Sequence, residues 1–114
     1  MSTDPLTTLR DATRAFAAER DWEQYHTPKN LAMALSVEVA ELAEHFQWLQ
    51  TGVASELDDA TREGVRQELA DVLLYLVQIA DKLDVDLYAA AVEKMRLNAL
   101  KYPASRETEP TPKA

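Results

Sequence analysis

A chain of 114 residues accommodates one domain, and an apolar share of 46% beside 28% charged residues is enough to give that domain a core. Twenty acidic against twelve basic side chains leave a net charge of −8, which argues against binding a nucleic acid polymer, and the absence of cysteine excludes disulfides and thiolate metal sites. The N-terminal stretch MSTDPLTTLRDA has no apolar segment of the secretory kind and VLLYLVQIA (72–80) is too short to cross a bilayer, so the expectation is a cytoplasmic protein with no membrane partner.

Strand-type alternation is absent, and four helical segments can be bounded in order. The first opens at Asp4-Pro5, a capping side chain followed by proline at the first helical position, and runs to about Arg20. The second repeats that start at Thr27-Pro28 and runs to about Gln50, with Gly52 as its stop. After a linker over 53–58, the third begins at Asp58 or Asp59 and reaches about Leu83. The fourth is capped by Asp86 and ends before Pro103, because proline disfavours helix in the residue preceding it. The fold class is therefore all-α, a four-helix bundle over residues 1–102, with a polar, proline-rich tail (103–114) that reads as disordered. The third helix is apolar on nearly every position from Val72 to Ala80, and three other helices cannot cover it, which predicts a homo-oligomer.

One feature breaks the amphipathic pattern. Leu31, Leu35, Leu42 and Leu49 form a stripe along the second helix, and Glu38 sits in its middle, flanked by Glu41. The third helix repeats the arrangement, with Glu68 on the stripe of Val65, Val72, Tyr75 and Ile79 and Asp71 at its margin; Glu44 falls further round and reads as solvated. Acidic pairs three apart are common on solvated faces, but a carboxylate inside an apolar stripe needs a partner or a proton. No lysine or arginine lies on either stripe, so a hard divalent cation, Mg²⁺ before Mn²⁺, is the natural partner of four carboxylates. A di-iron site is disfavoured, because that pattern needs Glu-x-x-His and His45 is one residue out of register. On the fourth helix Lys94, Asn98 and Lys101 share a face closed by Tyr102, suited to phosphate oxygens, and Trp22 and Trp48 offer ring faces to a nucleobase.

The combination RDWEQYHTPKNLAMALSVEVAELAEHFQW, ELADVLLYLVQIADKLDVDL and AVEKMRLNALKYP closely resembles the all-α nucleoside triphosphate pyrophosphohydrolases, within them the MazG-like branch and its dCTP pyrophosphatase type, over residues 7–103. The resemblance implies hydrolysis of a nucleoside triphosphate to the monophosphate and pyrophosphate, with Mg²⁺ held by Glu38, Glu41, Glu68 and Asp71. Glu38 and Glu41 would carry the catalytic role. It further implies that Trp22 and Trp48 line the base pocket with Tyr75 nearby, that Lys94, Asn98 and Tyr102 hold the phosphate chain, and that dimers or tetramers build their sites at subunit interfaces. The implied substrate is dCTP or a modified dCTP such as 5-methyl-dCTP, in nucleotide pool control or sanitation. Relatives of that type can carry a histidine where this chain has Thr13, which bears on base preference. Two other readings of the buried acids are a non-catalytic helical oligomer acting as scaffold, which would tolerate Glu38→Leu, and a nucleotide sensor that binds without hydrolysis.

Overall fold

All four expected capping side chains are in place in the computed structural model, which describes residues 4–104. Asp4, Thr27, Asp58 and Asp86 each accept the backbone N–H three residues on, at 2.7–3.1 Å, and so satisfy a donor that the first helical turn leaves open. They start α1 (Pro5–Glu19), α2 (Pro28–Glu44), α3 (Asp59–Lys82) and α4 (Leu87–Lys101). No strand occurs among the described residues, and the all-helical class holds. The expected tail lies outside the described residues beyond position 104.

α1 and α3 end in the same device. Asp21 and Asp84 both take left-handed backbone with φ of 57°. Trp22 N–H then reaches back to the carbonyl of Ala17 (2.9 Å) and Asp21 N–H to Ala18 (3.2 Å); Val85 and Asp84 make the matching bonds to Ala80 and Asp81. This is the Schellman arrangement, here with aspartate at the position glycine usually holds. Its consequence is spatial, since the residue after the aspartate folds back over its own helix. Trp22 is thereby brought edge-on to Phe16, with ring centroids 5.7 Å apart.

α2 is shorter than the sequence suggested. It stops at Glu44 rather than near Gln50, because from His45 onward the backbone tightens into i→i−3 bonds: His45 to Leu42, Phe46 to Ala43, Leu49 to Phe46. The carboxylate of Glu56 holds the following turn in place. It accepts the N–H groups of Gln50, Thr51 and Gly52 at 2.7–2.9 Å and the Thr51 hydroxyl at 2.7 Å. Those donors, the Thr51 hydroxyl foremost, lower its pKa to about 2. Gly52 does reverse the chain, at φ 77°, and a side chain there would meet the Phe46 ring at 2.9 Å. Inside α3, Gly64 has a packing reason: a Cβ would lie 2.5 Å from the His45 ring.

Helix packing centres on α3, with α2 against one side and α1 against another. The buried side chains among the described residues are few: Leu31 of α2, Ala17 of α1, and Val77 and Ala80 of α3. Arg14 and Asp81 join α1 to α3 through a two-point ion pair whose arginine is open to water, so it contributes little to stability. The surplus apolar side of α3 is visible, because Leu69, Leu73 and Leu76 form an exposed stripe. α4 buries no residue, and leaves Val92, Met95 (70% exposed) and Leu100 (68%) open. No helix among the described residues is long and apolar enough to cross a membrane.

Candidate active site

Packing α2 on α3 brings the stripe-breaking acids together. One carboxylate oxygen from each of Glu38, Glu41 and Glu68 lies within 4.8 Å of the others. All three side chains are partly buried, while Glu44 is exposed, as its place on the helix requires. Among the described residues no ion pair reaches any of these acids. Asp71, the fourth expected ligand, stands outside the tight trio but close enough to act on Glu38.

The electrostatics follow from this crowding. Burial, then the adjacent Glu68 and Asp71 carboxylates, push the Glu38 pKa up to about 7. The Oε2 of Glu68 is buried and has no hydrogen-bond partner. An orphaned carboxylate oxygen among convergent like charges is unfavourable unless a cation occupies the space between them. The donor set is oxygen only, and a hard divalent cation fits it. Glu38, Glu41 and Glu68 would hold such an ion, with Asp71 at its edge.

Asp71 also links the cluster to a cavity of about 360 Å³ between α1 and α3. Its walls are mainly apolar and aromatic: Leu9, Phe16 and Trp22 from the first segment, Leu74 and Tyr75 from α3. Three polar side chains, Thr13, His26 and Gln78, line both this cavity and a much smaller cleft beyond it. Tyr75 has its pKa raised by burial and by the nearby Glu38 and Asp71 carboxylates, so its hydroxyl stays protonated and able to donate. An apolar slot with aromatic faces, a few polar groups and, past Asp71, a carboxylate cluster able to hold a cation suits a flat ring attached to an anionic chain.

The expected site residues divide into two groups. Glu38, Glu41, Glu68, Asp71, Trp22 and Tyr75 converge within one protomer on the cluster and its cavity. Trp48, 88% exposed on the turn after α2, and Lys94, Asn98 and Tyr102 of α4 do not line that cavity. His26 and Gln78 were not anticipated. Gln78 carried a signal of its own, being the one amide in the apolar run VLLYLVQIA. His26 carried none, because its approach depends on the chain reversal at Asp21.

Comparison with known proteins agrees with this geometry. Residues 33–111 match the model of the MazG-like family. Human dCTP pyrophosphatase 1 is 48% identical over 108 residues, covering 90% of this chain and 64% of the human protein. The rat protein of the same name is 46% identical over 107 residues, covering 90% and 63%. The chain thus spans a little under two thirds of these relatives' length. The crystal structure of a pyrophosphatase from Archaeoglobus fulgidus superposes with a TM-score of 0.81 at 39% identity, covering 91% of this chain and 97% of that one. With four capped helices, a split carboxylate cluster between α2 and α3 and these likenesses, the chain belongs to the MazG-like family.

Proposed function

We propose that the protein is a Mg²⁺-dependent nucleoside triphosphate pyrophosphohydrolase acting on dCTP or a modified dCTP, releasing the monophosphate and pyrophosphate. The observation that carries this reading is the trio Glu38, Glu41 and Glu68, with its orphaned oxygen, linked through Asp71 to an aromatic cavity. Its relatives' names, dCTP pyrophosphatase and pyrophosphatase, support the reaction and the base.

In this reading Trp22 and Tyr75 hold the base, and Asp71 marks where the cavity passes to the cluster. A bound Mg²⁺ supplies charge neutralisation to the phosphate oxygens, which the four acids alone would repel. Glu38 or Glu41 takes the proton that an attacking water gives up. The apolar walls keep other water from the base, and the Tyr75 hydroxyl donates to substrate rather than competing as an anion.

The working form is a homo-oligomer, dimer or tetramer. Support comes from the exposed stripe Leu69, Leu73 and Leu76 and from the uncovered apolar residues of α4. Lys94, Asn98 and Tyr102 then serve the phosphate chain, and Trp48 the base, of a site completed by a second copy. Nucleotide pool control or sanitation is the purpose that fits this reaction, in the cytoplasm.

The test is product analysis over the eight common ribo- and deoxynucleoside triphosphates, with Mg²⁺ and with EDTA. Pyrophosphate release, fastest from dCTP and lost in EDTA, is expected. Orthophosphate as the sole product, or release indifferent to EDTA, would reject the reading.

A further inference from the structure

Gln78 is an amide in the wall of the cavity between α1 and α3. It sits half-buried on α3, two turns beyond Asp71, about 10 Å along the helix axis. That is a span that a base and its sugar bridge. With Asp71 at the carboxylate end of the cavity, Gln78 lines the far end together with Thr13.

The hydrogen bonds of both side chains determine what they can still offer. Gln78 Nε2 donates to the Leu74 carbonyl at 3.1 Å. Since that oxygen only accepts, the amide nitrogen must face it, which turns the Gln78 carbonyl oxygen outward as a free acceptor. The Thr13 hydroxyl donates its hydrogen to the Arg10 carbonyl at 2.9 Å, so its oxygen too is left accepting. The far end of the cavity, which His26 also borders, therefore presents two acceptors from facing helices.

An exocyclic amino group is the base substituent that donates two hydrogens from one atom. A carbonyl in the same place would set its lone pairs against both acceptors. We propose that Gln78, assisted by Thr13, is a specificity-determining residue that selects bases bearing an exocyclic amino group, as on cytosine, over those bearing a carbonyl there, as on uracil. The inference rests on the reading of the cavity as a nucleotide site but does not require turnover. It extends that reading by naming residues and a chemical basis for base choice.

The test is binding of the non-hydrolysable α,β-imido analogues of dCTP and dUTP with Mg²⁺, by titration calorimetry, to the wild type, Gln78→Leu and Thr13→Val. Both substitutions keep volume, and thermal melting of each variant checks the fold. The wild type should bind the cytosine analogue at least about tenfold more tightly than the uracil analogue. Gln78→Leu should bring that ratio towards one, chiefly by weakening the cytosine analogue, and Thr13→Val should do so in part. A purely structural role would weaken both analogues alike and leave the ratio unchanged. That result, equal binding by the wild type, or no binding of either analogue overturns the inference. Failure of the pyrophosphohydrolase reading would show separately, as binding with the expected ratio but no pyrophosphate released from dCTP.

Discussion

Glu38 is the residue on which the site turns. Its pKa, raised to about 7 against an ordinary 4.5, means that without metal the folded state resists ionising it. The sign of the pH effect follows. Below about 4.5 the group is protonated in folded and unfolded chains alike and costs nothing; as pH rises through 7 the folded chain must accept the charge, and the stability it had is lost. In EDTA the melting temperature should therefore fall between pH 5 and pH 8, and Mg²⁺ should restore it more at pH 8 than at pH 5. A melting temperature indifferent to Mg²⁺ at both pH values would mean that the cluster binds no ion. Glu56 has the opposite sign. With its pKa lowered to about 2, its contribution is present above about 4.5 and disappears as pH falls towards 2. Glu56→Ala should lower the melting temperature at neutral pH and lose that effect in acid, when measured against the wild type by circular dichroism. The acidic cluster was legible in the sequence because a charge interrupting an apolar stripe stands out. Gln78 interrupts an apolar run in the same way, but an amide can satisfy itself locally and so says less until its neighbours are known.

Among the elements, every start was legible and so were the ends of α1, α3 and α4; only α2 stops short of its expected bound. A cap such as Asp58 acts within three residues, so sequence alone displays it. α2 gives way to i→i−3 bonding at His45, and the turn that follows is held by Glu56 from a few residues further on, which no local pattern announces. The Schellman geometry that closes α1 and α3 was not legible, because aspartate, not glycine, occupies the left-handed position. That substitution stores strain. Asp21→Gly and Asp84→Gly should each stabilise the fold by about 0.5–1 kcal/mol, the left-handed penalty less the entropy cost of glycine, as read by urea denaturation. Asp21→Val should destabilise it and shift Trp22 from the cavity, since a β-branched residue tolerates positive φ poorly. A Trp22 environment unchanged in that variant would show that the reversal does not position the ring.

The whole molecule leaves apolar surface uncovered on α3 and α4, and the surplus on α3 was foreseen from its all-round apolarity. Which residues it would expose was not, because the choice among the faces of α3 is made by the packing of α1 and α2. Leu73→Glu, in the exposed stripe of α3, should leave the protomer folded but shift it to monomer in analytical ultracentrifugation, with activity falling in step. A wild type that sediments as a monomer would instead require Lys94, Asn98 and Tyr102 to act, if at all, within their own protomer. Those three residues and Trp48 do not line the cavity, and under the proposed function it is assembly with a second copy, which one chain's sequence does not display, that would bring them to a site.

The central claim is that the carboxylate cluster between α2 and α3 is the metal centre of a pyrophosphohydrolase, and Glu68→Gln tests it most directly. The substitution preserves shape, removes a charge and leaves the cavity intact. Pyrophosphate release from dCTP with Mg²⁺ should fall by at least about a hundredfold, while the metal-free variant melts no lower than the metal-free wild type. Undiminished release by a folded Glu68→Gln would contradict the account, because the cluster would then have no part in the reaction.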